Sequence, residues 1–180
     1  MRIAHTILRT IIGALFIGHG TQKLFGWFGG PGPDATGETF EQLGLTPGRR
    51  HALAAGTAEA TGGTLFVLGL ANPLAAALVS ATMITAIRRV HAKNGPWVTD
   101  NGFEYNLVLI AAALALARPR SSRDDARTEA GWARASLAAG LAGAAAAEAA
   151  ARHEAQEQEQ ERRQDAEVHE FSRSPAAVAA

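Results

Sequence analysis

Residues 60–87 carry no charged side chain over 28 consecutive positions, and this run limits what the chain can fold into. A membrane-spanning helix needs about 20 predominantly apolar residues. The run is too long for one ordinary span and slightly short for two. Near its middle stands "LANPLAAAL", where an asparagine precedes a proline, a helix-start signal. The sequence therefore predicts a tight turn at Ala71–Asn72 between two antiparallel helices, over about 49–70 and 73–91. An Ala-rich soluble bundle is the competing reading. It would need polar outer faces, and this run offers only a few Thr and Ser, which favours the membrane.

Two further apolar segments flank the hairpin, a first helix over about 3–25 and a fourth over about 103–117. Asp100 or Asn101 is placed to cap the fourth helix, and Pro119 to stop it. The expected fold class is all-α, a four-helix transmembrane bundle. The pairs Ala14/Gly18, Gly56/Ala60 and Ala58/Gly62 have the small-xxx-small spacing that lets helix backbones approach in lipid. Residues 26–50 read as a long connection of turn formers. Trp27, Phe28, Trp97 and Tyr105 suit a membrane interface.

Composition then divides the chain into a membrane domain over 1–120 and an extension over 121–180 rich in Ala, Glu and Gln. Within the extension, 132–151 is a candidate fifth span. Only 13 uncharged residues separate Arg134 from Glu148, and alanine is barely favourable in lipid, so an interfacial or exposed helix is preferred. Residues 148–167 have high helix propensity without an apolar face, the pattern of a solvated helix or a disordered tail. Residues 172–180 read as disordered. Arg9 interrupts the N-terminal apolar run, and no small-residue cleavage site follows, so the first helix is expected to be retained rather than cleaved as a signal peptide. The formal net charge is zero, which gives no sign of a nucleic-acid partner. Cysteine is absent, so disulfides, thiol catalysis, thiolate zinc sites and cysteine-held iron–sulfur clusters are excluded.

In an antiparallel four-helix arrangement the first and third helices end on one side, where the second and fourth begin. That side gathers His19, Gln22, Lys23, Arg88, Arg89, His91 and Glu104. Glu59 lies about ten residues into the second helix, on the order of 15 Å from its start. It is an acid with apolar sequence on both sides, and such a group usually faces the bundle interior and a partner. Lys23, His19, Arg88 and Arg89 are the candidate partners. These eight residues form the expected polar pocket or ligand site, opening on one membrane face. Arg49, Arg50 and Lys93 read instead as residues that snorkel to the headgroups. No pair of histidines has i, i+4 spacing, so no metal is expected, and no catalytic residue is assigned.

The motifs "GHGTQKLFGWFGGPG", "GTAEATGGTLFVLGL", "RRVHAKNGPW" and "NGFEYNLVLIAAALAL", in that order over about 5–117, resemble the DoxX family of small bacterial membrane proteins. The resemblance implies four spans in the cytoplasmic membrane with both termini inside. It also implies a role beside an oxidoreductase, since the family is named for a subunit of a thiosulfate:quinone oxidoreductase. The family motifs fall on Gly18, His19, Gly20, Gln22, Lys23, Glu59, Gly62, Gly63, His91, Asn94, Gly95 and Glu104. The extension after about Arg123 departs from the family pattern. Charge does not fix the orientation, because six basic residues flank the helices on each side.

The functional expectation is a membrane subunit or anchor of a quinone-linked oxidoreductase system. Quinone is the expected cofactor, and the partners are the bilayer and a redox protein. Two other classes stay open. One is a small permeation protein with Glu59 as its proton or ion site. The other is a scaffold that holds a soluble partner through its charged C-terminal helix.

Overall fold

The structure is a computed structural model that describes residues 2–117 and 126–173. Every regular element in it is helical: α1 Arg2–Phe25, α2 Gly32–Gln42, α3 Gly48–Leu68, α4 Asn72–Ala86, α5 Glu104–Ala115 and α6 Ala126–Arg173. The role of Pro119 and the expected disorder of 174–180 fall outside the described residues, whereas Ser172 and Arg173, also expected to be disordered, still belong to α6. Two helices, Ile3–Phe25 and Asn72–Asn94, are long and apolar enough to cross a membrane.

The turn between α3 and α4 lies where the Asn-Pro signal puts it. Gly69 takes a left-handed conformation (φ 68°) and ends α3, with the Leu70 N–H donating to the Leu65 carbonyl at 3.0 Å. Pro73 occupies the first turn of α4. Arg9, buried on α1, packs its guanidinium against Gly69, so any side chain at 69 would collide with it.

α1 and α3 share the most extensive helix–helix contact. A Cβ built on Gly20 would stand 2.5 Å from the Ala60 nitrogen, and one on Gly63 would stand 2.5 Å from the Gly13 carbonyl oxygen. The contact stripe is thus Gly13 and Gly20 on α1 against Gly56, Ala60 and Gly63 on α3. Gly18 has nothing within 4 Å and Ala14 is exposed, so that expected pair does not form the seam. Positions 13 and 20 are about two turns apart and share a face, whereas Gly18 is turned away from it. Gly62 packs on α4 instead, against Val79. Gly63→Ala is expected to cost about 1–3 kcal/mol through overpacking. Gly18→Ala should be neutral or stabilising by up to about 1 kcal/mol, because alanine is the better helix former. Thermal unfolding of both variants in detergent checks the contrast.

α2 is a correction to the reading of 26–50 as a connection made only of turns. Pro31 and Pro33 set its start and Asp34 sits in its first turn. Its Gly37 lies in direct contact with Gly48 of α3, so this helix is held by close backbone packing that hydropathy does not register. The cap of α5 also differs from expectation. Phe103 is the N-cap residue and makes no side-chain bond there, and Asn101 takes a left-handed turn (φ 60°). The Glu104 carboxylate turns back to accept the Val98 N–H at 2.8 Å and closes the preceding loop.

The core joins Phe16, Phe66, Val79, Leu109 and Leu116 with small residues of α4 and α5. α6 is helical throughout its described length, and its first half packs along α4. Ser136, Ala144, Glu148 and Ala151 are buried. The 152–167 stretch is mostly exposed, as expected of a solvated helix.

Candidate functional site

Lys23 and Glu59 meet beside one of the two closest approaches of the α1–α3 seam. Gly20 brings the two backbones together at Gly56 and Ala60, and Lys23 follows on the next turn of α1. Its Nζ lies 2.6 Å from Glu59 Oε2, with the side chains 22% and 6% exposed. A carboxylate buried this deeply needs a close cation, because removing either partner leaves a poorly hydrated charge.

The pair forms part of the wall of a cavity of about 520 Å³. Its lining is largely apolar and includes Phe16, Phe40, Leu45, Leu78 and Leu109. Among the expected site residues, His19, Lys23, Glu59, Arg89 and His91 line this cavity. His19 is exposed, one turn from Lys23 on α1. Arg89 donates to the Leu43 carbonyl at 3.2 Å, and its Nε stands 3.9 Å from Glu148 Oε1. His91 Nδ1 and Asn94 Nδ2 converge on the Asn101 carbonyl, at 2.8 and 3.1 Å.

The other three expected residues lie elsewhere. Gln22 packs under Gly30, because one residue along a helix turns the side chain by about 100° from Lys23. Arg88 is half exposed and reaches Glu148 of α6 at 2.8 Å. Glu104 serves its own loop. Arg88 and Arg89, the alternatives to Lys23 as partners of Glu59, are held by Glu148 instead.

Sequence reasoning missed two groups. His51 lines the cavity, and its Nε2 lies 3.8 Å from Glu154 Oε2, with Arg50 bonded to the same carboxylate at 3.2 Å. His51 stands two turns before Glu59 on α3, so helical spacing alone could have found it. Glu148 was the other. It is a lone acid in apolar sequence, the same signature that singled out Glu59. Among the described residues no group of three or more His, Cys, Asp or Glu is arranged to hold a metal ion.

The family model for DoxX matches residues 4–92, from the start of α1 to just past the final turn that extends α4. A protein of Bacillus subtilis (strain 168) named "Putative oxidoreductase CatD" is 34% identical over 118 residues, which is 66% of this chain and 81% of that protein. The chain belongs to the DoxX family. Membership makes it a membrane-associated type of protein, in keeping with the two apolar helices. The family match includes Lys23, His51, Glu59, Arg89 and His91, and it ends before Glu104 and α6. No solved structure gives a significant match.

Proposed function

We propose that α1, α3, α4 and α5 cross the cytoplasmic membrane, and that the cavity between them holds the ring of a quinone for an oxidoreductase system. Outward-facing side chains support the membrane assignment. Ile7, Ile11, Leu15, Leu107 and Val108 are 46–62% exposed, as lipid-facing residues would be. Two exposed hydroxyls bond within their own helices, Thr10 to the Thr6 carbonyl and Thr64 to that of Ala60. Trp27, Phe28, Trp97 and Tyr105 stay exposed beside the connections on the site side, where an interface would lie.

The Lys23–Glu59 pair, set in a largely apolar cavity, carries the ligand reading. The volume is that of a small-molecule site, and such sites combine apolar walls with a few placed polar groups. Lys23 is held by Glu59, and Arg89 by the Leu43 carbonyl and a Glu148 carboxylate that it shares with Arg88 and Arg152, so neither cation is free to hold an anion. A flat, uncharged ring bearing carbonyl oxygens suits it better. Lys23 can donate to one carbonyl while keeping Glu59, since an ammonium has three donors, and His19 is one turn away at the cavity wall. A bound quinone supplies electron- and proton-accepting chemistry. The chain has no cysteine to hold a thiol or iron–sulfur centre, so a partner protein is proposed to deliver the electrons. The relative's oxidoreductase name agrees with this reading.

Titration of the detergent-purified chain with a short-tailed neutral naphthoquinone and with its sulfonated analogue tests the reading. Saturable binding of the neutral ring, with the sulfonate at least tenfold weaker, is expected. Equal affinity, or preference for the sulfonate, would replace the quinone site with an anion site.

A further inference from the structure

We infer that α6 is a fifth membrane-crossing helix, so that the C-terminal extension emerges on the same side as the cavity's polar residues and opposite the N-terminus. The inference rests on the membrane reading above and adds a crossing that the four-span pattern of the family does not contain.

The first observation is register. Ser136 Oγ donates to the Pro73 carbonyl at the start of α4, at 3.0 Å. Gly140 backs onto Ala77 and Ser80, and Gly143 onto Ala81. Glu148 then reaches Arg88, just beyond the α-helical end of α4. α6 therefore runs parallel to α4 over the whole of that helix, with small residues at each close approach. A helix that follows a spanning helix from end to end lies at the same depth.

The second observation is where the charges point. From 135 to 147 α6 carries none. Its outward face is Ala135, Ala139, Leu141, Ala142, Ala146 and Ala149, all exposed. The acid that weakened the sequence case for a span, Glu148, is 4% exposed and is turned inward to Arg88 and Arg89. Arg134 and Trp132 precede the uncharged stretch, and Arg152 follows it. Residues 135–151 cover about 26 Å at 1.5 Å per residue, close to the roughly 30 Å of a bilayer's hydrocarbon core.

The occupant of this face is lipid acyl chain. The face is exposed and apolar, as are the outward residues of α1 and α5, and it offers no side-chain hydrogen-bonding or charged group that a soluble partner would recognise. Five crossings place the termini on opposite sides. Glu154 then stands beside Arg50 and His51 on the site side, as observed, and the acidic helix beyond it projects into water there.

The chain has no cysteine, so single cysteines report their side directly. Thr99→Cys marks the site side, Leu70→Cys the opposite side, and Gln160→Cys the extension. Each full-length variant is treated with a membrane-impermeant maleimide in intact spheroplasts and in inverted vesicles, after carbonate washing and with detergent-solubilised controls. Gln160→Cys is expected to label in the preparation that labels Thr99→Cys. Labelling of Gln160→Cys in the preparation that labels Leu70→Cys, alone or as well, from carbonate-resistant membranes, overturns the fifth crossing and leaves the four-span reading standing. Release of the whole chain by carbonate overturns the membrane reading and the fifth crossing with it.

Discussion

Lys23→Met is expected to destabilise the bundle by about 3–4 kcal/mol, and Glu59→Gln by only about 1–2 kcal/mol. The asymmetry follows from burial. Removing the lysine leaves a carboxylate that is 6% exposed, with no other hydrogen-bond partner among the described residues. Removing the acid leaves an ammonium that is 22% exposed and sits on a flexible stem near His19 at the cavity wall. That ammonium can swing toward water, as long basic side chains do. The double variant Lys23→Met/Glu59→Gln should recover about half or more of the additive loss, with a coupling of about 3 kcal/mol in a thermal-unfolding cycle in detergent. Strictly additive effects would mean that the two side chains do not support each other.

The second large effect is expected at the α4–α6 contact. Arg88→Gln with Arg89→Gln leaves Glu148 buried with only Arg152 beside it, a side chain that is 72% exposed and 3.3 Å away. A cost of about 2–4 kcal/mol is expected, read as a lower melting temperature and faster proteolysis within α6. Glu148→Gln should cost about 1 kcal/mol, because Arg88 is already half exposed and can rehydrate. Adding Glu148→Gln to the double arginine variant should restore α6 to its groove. If the two arginines can be removed with no change in α6 protection, the helix is held by its small-residue packing alone.

How much of this was legible in the sequence depended on the kind of signal. The α3–α4 hairpin was readable because Asn72–Pro73 is a local signal and the uncharged run around it is long. Glu59 was readable because one acid in an apolar helix must find a partner, and its four candidates could be named from topology. Which candidate was chosen was not readable. The choice depends on Gly20 letting α1 settle against Gly56 and Ala60, and spacing alone also allowed the Ala14–Gly18 pair. α2 was obscured by its glycines and prolines, which suggest turns when read singly. A helix over 132–151 was expected, but its docking along α4 was the largest omission. An Ala-rich segment is ambiguous by hydropathy, and Glu148 counted against burial until Arg88 and Arg89 were seen to face it. Deleting 152–180 removes Glu154 and its contact with Arg50 but leaves the buried positions 136–151 in place, so the bundle is expected to stay folded.

The most direct measurement of the functional account is the affinity of the neutral naphthoquinone for the wild-type chain and for Lys23→Met/Glu59→Gln, side by side in the same detergent. The double variant is expected to be folded, so weaker binding would report the site rather than the scaffold. Loss of a hydrogen bond from a charged donor is worth about 1.5–3 kcal/mol, which corresponds to roughly ten- to a hundredfold in affinity. A loss in that range, with a cooperative unfolding transition retained, is the predicted result. Unchanged affinity in the folded double variant would contradict it and separate the charge pair from ligand binding.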